Sequence, residues 1–266
     1  MLTIRSSNAE LYYEVLGAGP SVVLLHPFPL NHNFWTAIAG QLTSRYRLIM
    51  PDLRAHGASE LGDGPATMQK MADDLARICR EEKTGKAVFV GVSIGGYLLF
   101  EFWRRYREQV AALVLANTRP VAETPESKAA RLQAAERVLR EGTASFIEEM
   151  LSKLLSPTTC SDRPDIMDEA RKMMQAMSPE DIAGVQRGMA ERSDSIPTLA
   201  TINVPTLIIA GEDDSVPLGE FEMMRRGIAG SQLRRIPRAG HYAALERPEE
   251  FGRLLWEFLD GVVGRQ

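Results

Sequence analysis

The stretch Ala87-Val88-Phe89-Val90 followed at once by Gly91-Val92-Ser93-Ile94-Gly95 constrains this chain more than any other. A short β-branched and aromatic run reads as a buried strand. Beyond Ser93 the apolar residues Ile94, Leu98, Leu99, Phe102 and Tyr106 recur at helical spacing. Ser93 is therefore placed on a tight turn between a strand and a helix. Gly91 and Gly95 are small where such a turn brings the chain close to itself. The hydroxyl is exposed at the end of a sheet and beside a helix N-terminus, whose free N–H groups stabilise developing negative charge.

The rest of the chain supplies the sheet that this turn requires. Leu2 to Arg5 and Leu11 to Leu16 read as an opening antiparallel pair. Val22 to Leu25, Arg47 to Met50, Leu113 to Ala116, Thr206 to Ala210 and Leu233 to Ile236 read as further strands. Helical periodicity occupies Met68 to Cys79 and a closing segment from Pro248, whose Phe251, Leu254, Leu255, Phe258 and Leu259 share one face. Alternating strands and helices predict an α/β fold with a mostly parallel central sheet and helices on both faces.

Residues 119–197 break that rhythm. They contain helical stretches separated by Gly142, Pro157, Pro164, Pro179 and Gly184, and carry six methionines from Met150 to Met189. The expectation is a core of 1–118 and 198–266 with an inserted helical cap at 119–197. The cap would lie over the carboxyl ends of the strands, where open α/β sheets place their sites. Adaptable methionines suit an accommodating pocket, although most such residues fill cores.

A serine hydroxyl needs a base, and the base needs an orienting acid. Of four histidines, His241 lies between the last strand and the closing helix, at the sheet edge where Ser93 emerges. His26 ends a strand before prolines and reads as a loop organiser, while His32 and His56 sit in loops. The acid comes from Glu212-Asp213-Asp214 after the strand Thr206 to Ala210, and the residues alone leave that choice open. The order Ser, Asp, His belongs to one particular fold.

Five motifs in order then make the chain similar to the α/β-hydrolase superfamily. They are His26-Pro27-Phe28-Pro29, Asp52-Leu53-Arg54-Ala55-His56-Gly57-Ala58-Ser59, Gly91 to Gly96, Gly211-Glu212-Asp213-Asp214 with Pro217, and Gly240-His241. Within it the chain most resembles a group of enol-lactonases, small carboxylesterases and cofactor-free perhydrolases. The resemblance implies that Asp214, three residues after the loop glycine, is the acid, with Asp213 as the alternative. It also implies oxyanion donors at the N–H groups of Phe28 and Ile94, and a helical cap. Pro27 and Ala55 stand where the family usually has glycine.

The expected chemistry is acyl transfer from a small, mostly apolar ester through Ser93, His241 and Asp214, without metal or organic cofactor. Lactone opening uses the same machinery and is the nearest alternative. A carboxylate-bearing lactone would want a cationic anchor, for which Arg187 and Arg192 are the cap candidates. Haloalkane dehalogenase and epoxide hydrolase chemistry is disfavoured, because related enzymes of those types carry aspartate at the position of Ser93. A ligand-binding protein that keeps the triad but turns over negligibly is the reading from a different class. Candidate pocket walls are Phe28, Trp35, Phe146, Met150, Met173 and Met177.

A net charge of −4 gives no reason to expect nucleic acid or an anionic membrane as partner. Cys79 and Cys160 have no metal-type spacing and read as free thiols. The N-terminus lacks a basic region followed by an apolar stretch, so a cytoplasmic protein is expected.

Overall fold

The computed structural model describes residues 2–263. β1 (Leu2–Ser6) and β2 (Ala9–Leu16) form an antiparallel pair. They continue into β3 (Ser21–Leu25), β4 (Arg47–Pro51), β5 (Ala87–Val92), β6 (Val110–Ala116), β7 (Thr206–Gly211) and β8 (Gln232–Ile236). One eight-stranded sheet results, in the order β1-β2-β4-β3-β5-β6-β7-β8. From β4 to β8 every neighbouring pair is parallel.

Parallel strands need helical crossovers, and those helices cover both faces. In β5, Phe89 points into one apolar cluster while Val88, Val90 and Val92 point into the other. The first cluster is covered by α2 (Met68–Glu81) and α3 (Ile94–Tyr106), through Met71, Leu75, Leu98 and Phe102. On the second face lies α1 (Thr36–Leu42), with Ile38 and Leu42.

Between β6 and β7 the chain is helical and forms the cap. Its elements are α4 (Pro125–Glu141), α5 (Ala144–Leu154), α6 (Pro157–Asp162), α7 (Pro164–Gln175), α8 (Pro179–Ala190) and α9 (Ile196–Leu199). The prolines start these helices: Pro125, Pro157, Pro164 and Pro179 each stand at a helix start, where the missing N–H has no acceptor to lose. Thr124, Ser156 and Ser178 cap three of them with side-chain oxygens.

Gly184 is not the separator that the sequence led us to expect. It lies inside α8, and a Cβ there would come 2.6 Å from Leu61 Cδ1. One turn on, a Cβ at Gly188 would meet the Ala66 carbonyl oxygen at 2.0 Å. These two glycines let α8 lie directly on the core loop before α2. The chain closes with α10 (Leu218–Gly227), α11 (Ala243–Glu246) and α12 (Pro248–Val263), and Phe251, Leu255 and Leu259 of α12 enter the second cluster.

Candidate active site

The turn after β5 is as tight as its glycines require. A Cβ on Gly91 would lie 2.5 Å from the Gly95 carbonyl carbon, and one on Gly95 would lie 2.6 Å from the Leu25 carbonyl oxygen. Ser93 takes φ 55°, ψ −114°, a conformation that costs a non-glycine residue energy. Surrounding bonds hold it there: the Ser93 N–H donates to the Ala116 carbonyl at 3.0 Å, and Thr118 Oγ1 donates to the Ser93 carbonyl at 2.8 Å. Ser93 is 8% exposed.

His241 brings the three separated sequence candidates together. The Ser93 hydroxyl lies 2.7 Å from His241 Nε2, and His241 Nδ1 lies 2.8 Å from Asp214 Oδ1. With Nδ1–H donating to the carboxylate, Nε2 is left as an acceptor for the serine proton. The Asp214 side chain is fully buried, whereas Asp213 is exposed. Burial pushes the Asp214 pKa up. Electrostatic attraction to the His241 ring and hydrogen bonds from His241, Asn117 and the Val216 N–H outweigh it, so the carboxyl stays below its ordinary range.

Asn117 is a member of the site that the sequence reading missed. It follows the last residue of β6 in the left-handed region, φ 46°, which asparagine tolerates better than most residues. Its Nδ2 donates to Asp214 Oδ2 at 2.8 Å and to the Gly240 carbonyl at 3.2 Å. The available signal was its place at a strand's carboxyl end, beside the strand that leads to Asp214.

The His241 loop is anchored from both sides. The His241 N–H donates to the Leu154 carbonyl at the end of α5, at 2.8 Å. Glu246, 1% exposed, accepts from the Gly240 N–H at 2.9 Å and the Tyr242 N–H at 3.3 Å through Oε1. Its Oε2 accepts from the Ser156 N–H at 2.8 Å and the Thr159 hydroxyl at 2.7 Å, both in the cap.

The loop after β3 carries Phe28. His26 Nδ1–H and the Leu30 N–H both donate to the Pro27 carbonyl at 3.0 Å, and His26 Nε2 accepts the Leu53 N–H at 2.9 Å. In a trans peptide the N–H points opposite to the carbonyl, so fixing the Pro27 carbonyl also fixes the Phe28 N–H. Ile94 occupies the first position of α3, where an N–H has no acceptor within its helix. His26 is fully buried and its pKa falls to about 3, from burial first and the neighbouring His56 second.

A cavity of about 260 Å³ opens above Ser93 and His241. Phe28, Met150, Leu154, Met189 and Val216 form its apolar walls, and Tyr97, Arg119, Arg131 and Gln186 its polar ones. The expected pocket is corrected at four positions. Trp35 lies in the second cluster beside Phe34 and Phe251, with ring centroids 4.9 and 6.0 Å away. Phe146 packs behind Phe28 at 6.0 Å between centroids and does not reach the cavity wall. Met173 and Met177 are buried in the apolar clusters instead of lining the cavity.

The expected cap cations are likewise elsewhere. Arg187 pairs with Glu136 at 2.5 Å on an exposed surface. Arg192 is buried under the Tyr97 ring, 4.2 Å from its centroid, and pairs with Glu123.

Among the described residues, no group of three or more His, Cys, Asp or Glu side chains is arranged to hold a metal ion, and no helix is long and apolar enough to cross a membrane.

Comparison with known proteins agrees with this architecture. The model of the alpha/beta hydrolase family matches residues 22–254. A thermophilic esterase from Thermogutta terrifontis, solved with malate bound, is 40% identical, with a TM-score of 0.94 over 98% of both chains. A pimeloyl-[acyl-carrier protein] methyl ester esterase of Nitrosospira multiformis is 28% identical over 92% of this chain and 96% of its own. The 3-oxoadipate enol-lactonase 1 of Acinetobacter baylyi is 27% identical over 91% of this chain and 90% of its own.

Proposed function

The chain belongs to the alpha/beta hydrolase family, and on that premise we propose that it hydrolyses a small carboxylic ester or lactone through an acyl-enzyme on Ser93. The observation that carries this reading is the unbroken relay of 2.7 and 2.8 Å from Ser93 Oγ through His241 to Asp214. Similarity to proteins named as esterases and enol-lactonases supports the same bond type.

In this mechanism His241 Nε2 takes the Ser93 proton as Oγ attacks the carbonyl carbon. Asp214 holds the imidazole in the required tautomer and stabilises the cation that forms. The Phe28 and Ile94 N–H groups receive the tetrahedral oxyanion. His241 then gives its proton to the leaving alcohol. Water hydrolyses the acyl-enzyme by the reverse relay. The cap, 119–197, sets which acyl and alcohol groups fit.

Ser93→Ala tests the reading. It is expected to lose roughly three or more orders of magnitude in kcat on short aryl esters while melting normally. A serine-directed phosphonate should leave one adduct, on the Ser93 peptide. An adduct elsewhere, with Ser93→Ala still active, defeats the mechanism. Absence of turnover on esters and lactones by the native protein would favour a binding role instead.

A further inference from the structure

The cavity above Ser93 carries charge that ester hydrolysis does not itself use. Arg119, just after β6, and Arg131, from α4, both line it. Their counter-ions do not. Glu123, whose side chain is 2% exposed, lies 2.9 Å from Arg131 Nη2, 3.1 Å from Arg192 Nε and 3.5 Å from Arg119 Nη2. Glu220 lies 3.4 Å from Arg119 Nη1.

Three guanidinium groups thus share two carboxylates. Glu123 is firmly ionised: burial raises its pKa, but Arg131, Ser127 and Arg192 together bring it down to about 2. Arg192 is committed to Glu123 and to the Tyr97 ring. The surplus positive charge therefore falls on the two arginines that reach the cavity. Asp214, the other carboxylate nearby, is committed to His241 and Asn117.

One further polar group of the lining favours the same kind of ligand. Gln186 uses its carbonyl oxygen to accept from Arg131 Nη1 at 3.1 Å, which leaves its amide NH₂ for other acceptors. A half-buried cation in excess is stabilised by an anion that accepts its hydrogen bonds, and a guanidinium suits a carboxylate in particular.

We propose that the cavity selects esters or lactones that carry a carboxylate remote from the scissile bond, held by Arg119 and Arg131. This rests on the ester-hydrolase reading and replaces its mostly apolar substrate with a monoanionic one. At roughly 30 Å³ for a small heavy group, the cavity of about 260 Å³ admits about nine heavy atoms. A half-ester of a short dicarboxylic acid has that size.

The test compares kcat/KM for monomethyl succinate and monomethyl glutarate with methyl butyrate and methyl valerate. The half-esters should be preferred by about ten- to a hundredfold, the scale of a charge-assisted hydrogen bond. Arg131→Gln should bring that ratio toward one, and the surface control Arg187→Gln should leave it unchanged. If Arg131→Gln melts below the assay temperature, Arg131→Lys keeps a charge for Glu123 but loses the fork, and should lower the ratio several-fold. Equal rates for the two series in the native protein, or a ratio indifferent to Arg131, overturn the proposal. Turnover of the neutral esters reads the hydrolase assignment separately. Should neither series be turned over, calorimetric titration with glutarate decides: binding weakened tenfold or more by the Arg131 variant supports the anchor, and absence of binding overturns it.

Discussion

Asn117 and Asp214 meet at 2.8 Å, Nδ2–H to Oδ2, on the carboxylate oxygen that His241 does not use. The acid is thereby gripped from both sides and cannot rotate away from the imidazole. Asn117→Ala is expected to lower kcat by about tenfold with little change in KM, the worth of one buried hydrogen bond to a charged group. A KM effect without a kcat effect would mean that Asn117 shapes the cavity and not the acid.

The adjacent carboxylates of the acid loop should behave very differently. Asp214→Asn is expected to lower kcat by about four orders of magnitude, since it favours the wrong histidine tautomer. Asp213→Asn should stay within a few-fold of native, because that side chain is exposed. Measuring both on one aryl ester checks the assignment. A crippling Asp213→Asn beside a mild Asp214→Asn would move the acid by one residue.

Glu246 meets only donors, two on each carboxylate oxygen. In Glu246→Gln the amide NH₂ must face one of those donor pairs. The substitution should cost about 1–3 kcal/mol of stability, the penalty for unsatisfied buried groups. Because Gly240 and Tyr242 flank His241, kcat should fall while KM stays near native. Thermal melting and steady-state kinetics on the same preparation check this, and a variant with native kcat would confine Glu246 to the scaffold.

Methionines of the cap should divide by position. Substituting Met150 or Met189 by alanine enlarges the cavity and should reorder preference along an acyl chain-length series by about 10–200-fold in kcat/KM. Met173→Ala and Met177→Ala should instead lower the melting temperature and leave the profile alone, since both side chains are buried away from the cavity. The reverse pattern would relocate the specificity wall.

Acid should loosen the fold through two buried imidazoles. Burial lowers the pKa of His26 to about 3 and that of His56 to about 4, against an ordinary 6.5. Between those limits the unfolded chain binds more protons than the native one. Stability therefore falls as pH drops below 6.5, by up to about 1.4 kcal/mol per pH unit for each group. Melting curves from pH 7 to pH 4.5 should show that slope, and His56→Gln should flatten it. A native slope in the variant would mean that His56 does not contribute to it.

The strands and the serine turn were legible because they are local: a short apolar run, a small residue on either side of Ser93, and a helical repeat after it. The prolines of the cap were legible as breaks, but only the structure reveals that they begin helices. Gly184 misled because a glycine that thins a helix for packing looks, in sequence, like one that ends it. Asn117 could not be found locally, since its partner stands 97 residues away and meets it only because β6 and β7 are neighbours. Arg131 was hidden for a related reason. Which arginine of an amphipathic helix faces inward depends on how α4 lies against α8, and the exposed Arg187 carries the same chemistry on the wrong face.

The bond from the His241 N–H to the Leu154 carbonyl gives the wall of the cavity and the His241 imidazole a common footing. Ser156, two residues further on, shares Glu246 with the same loop. Lifting the end of α5 would therefore pull on the loop that holds the imidazole against Ser93. The flank formed by Arg131 of α4, Gln186 and Met189 of α8, and Tyr97 has no part in that bond.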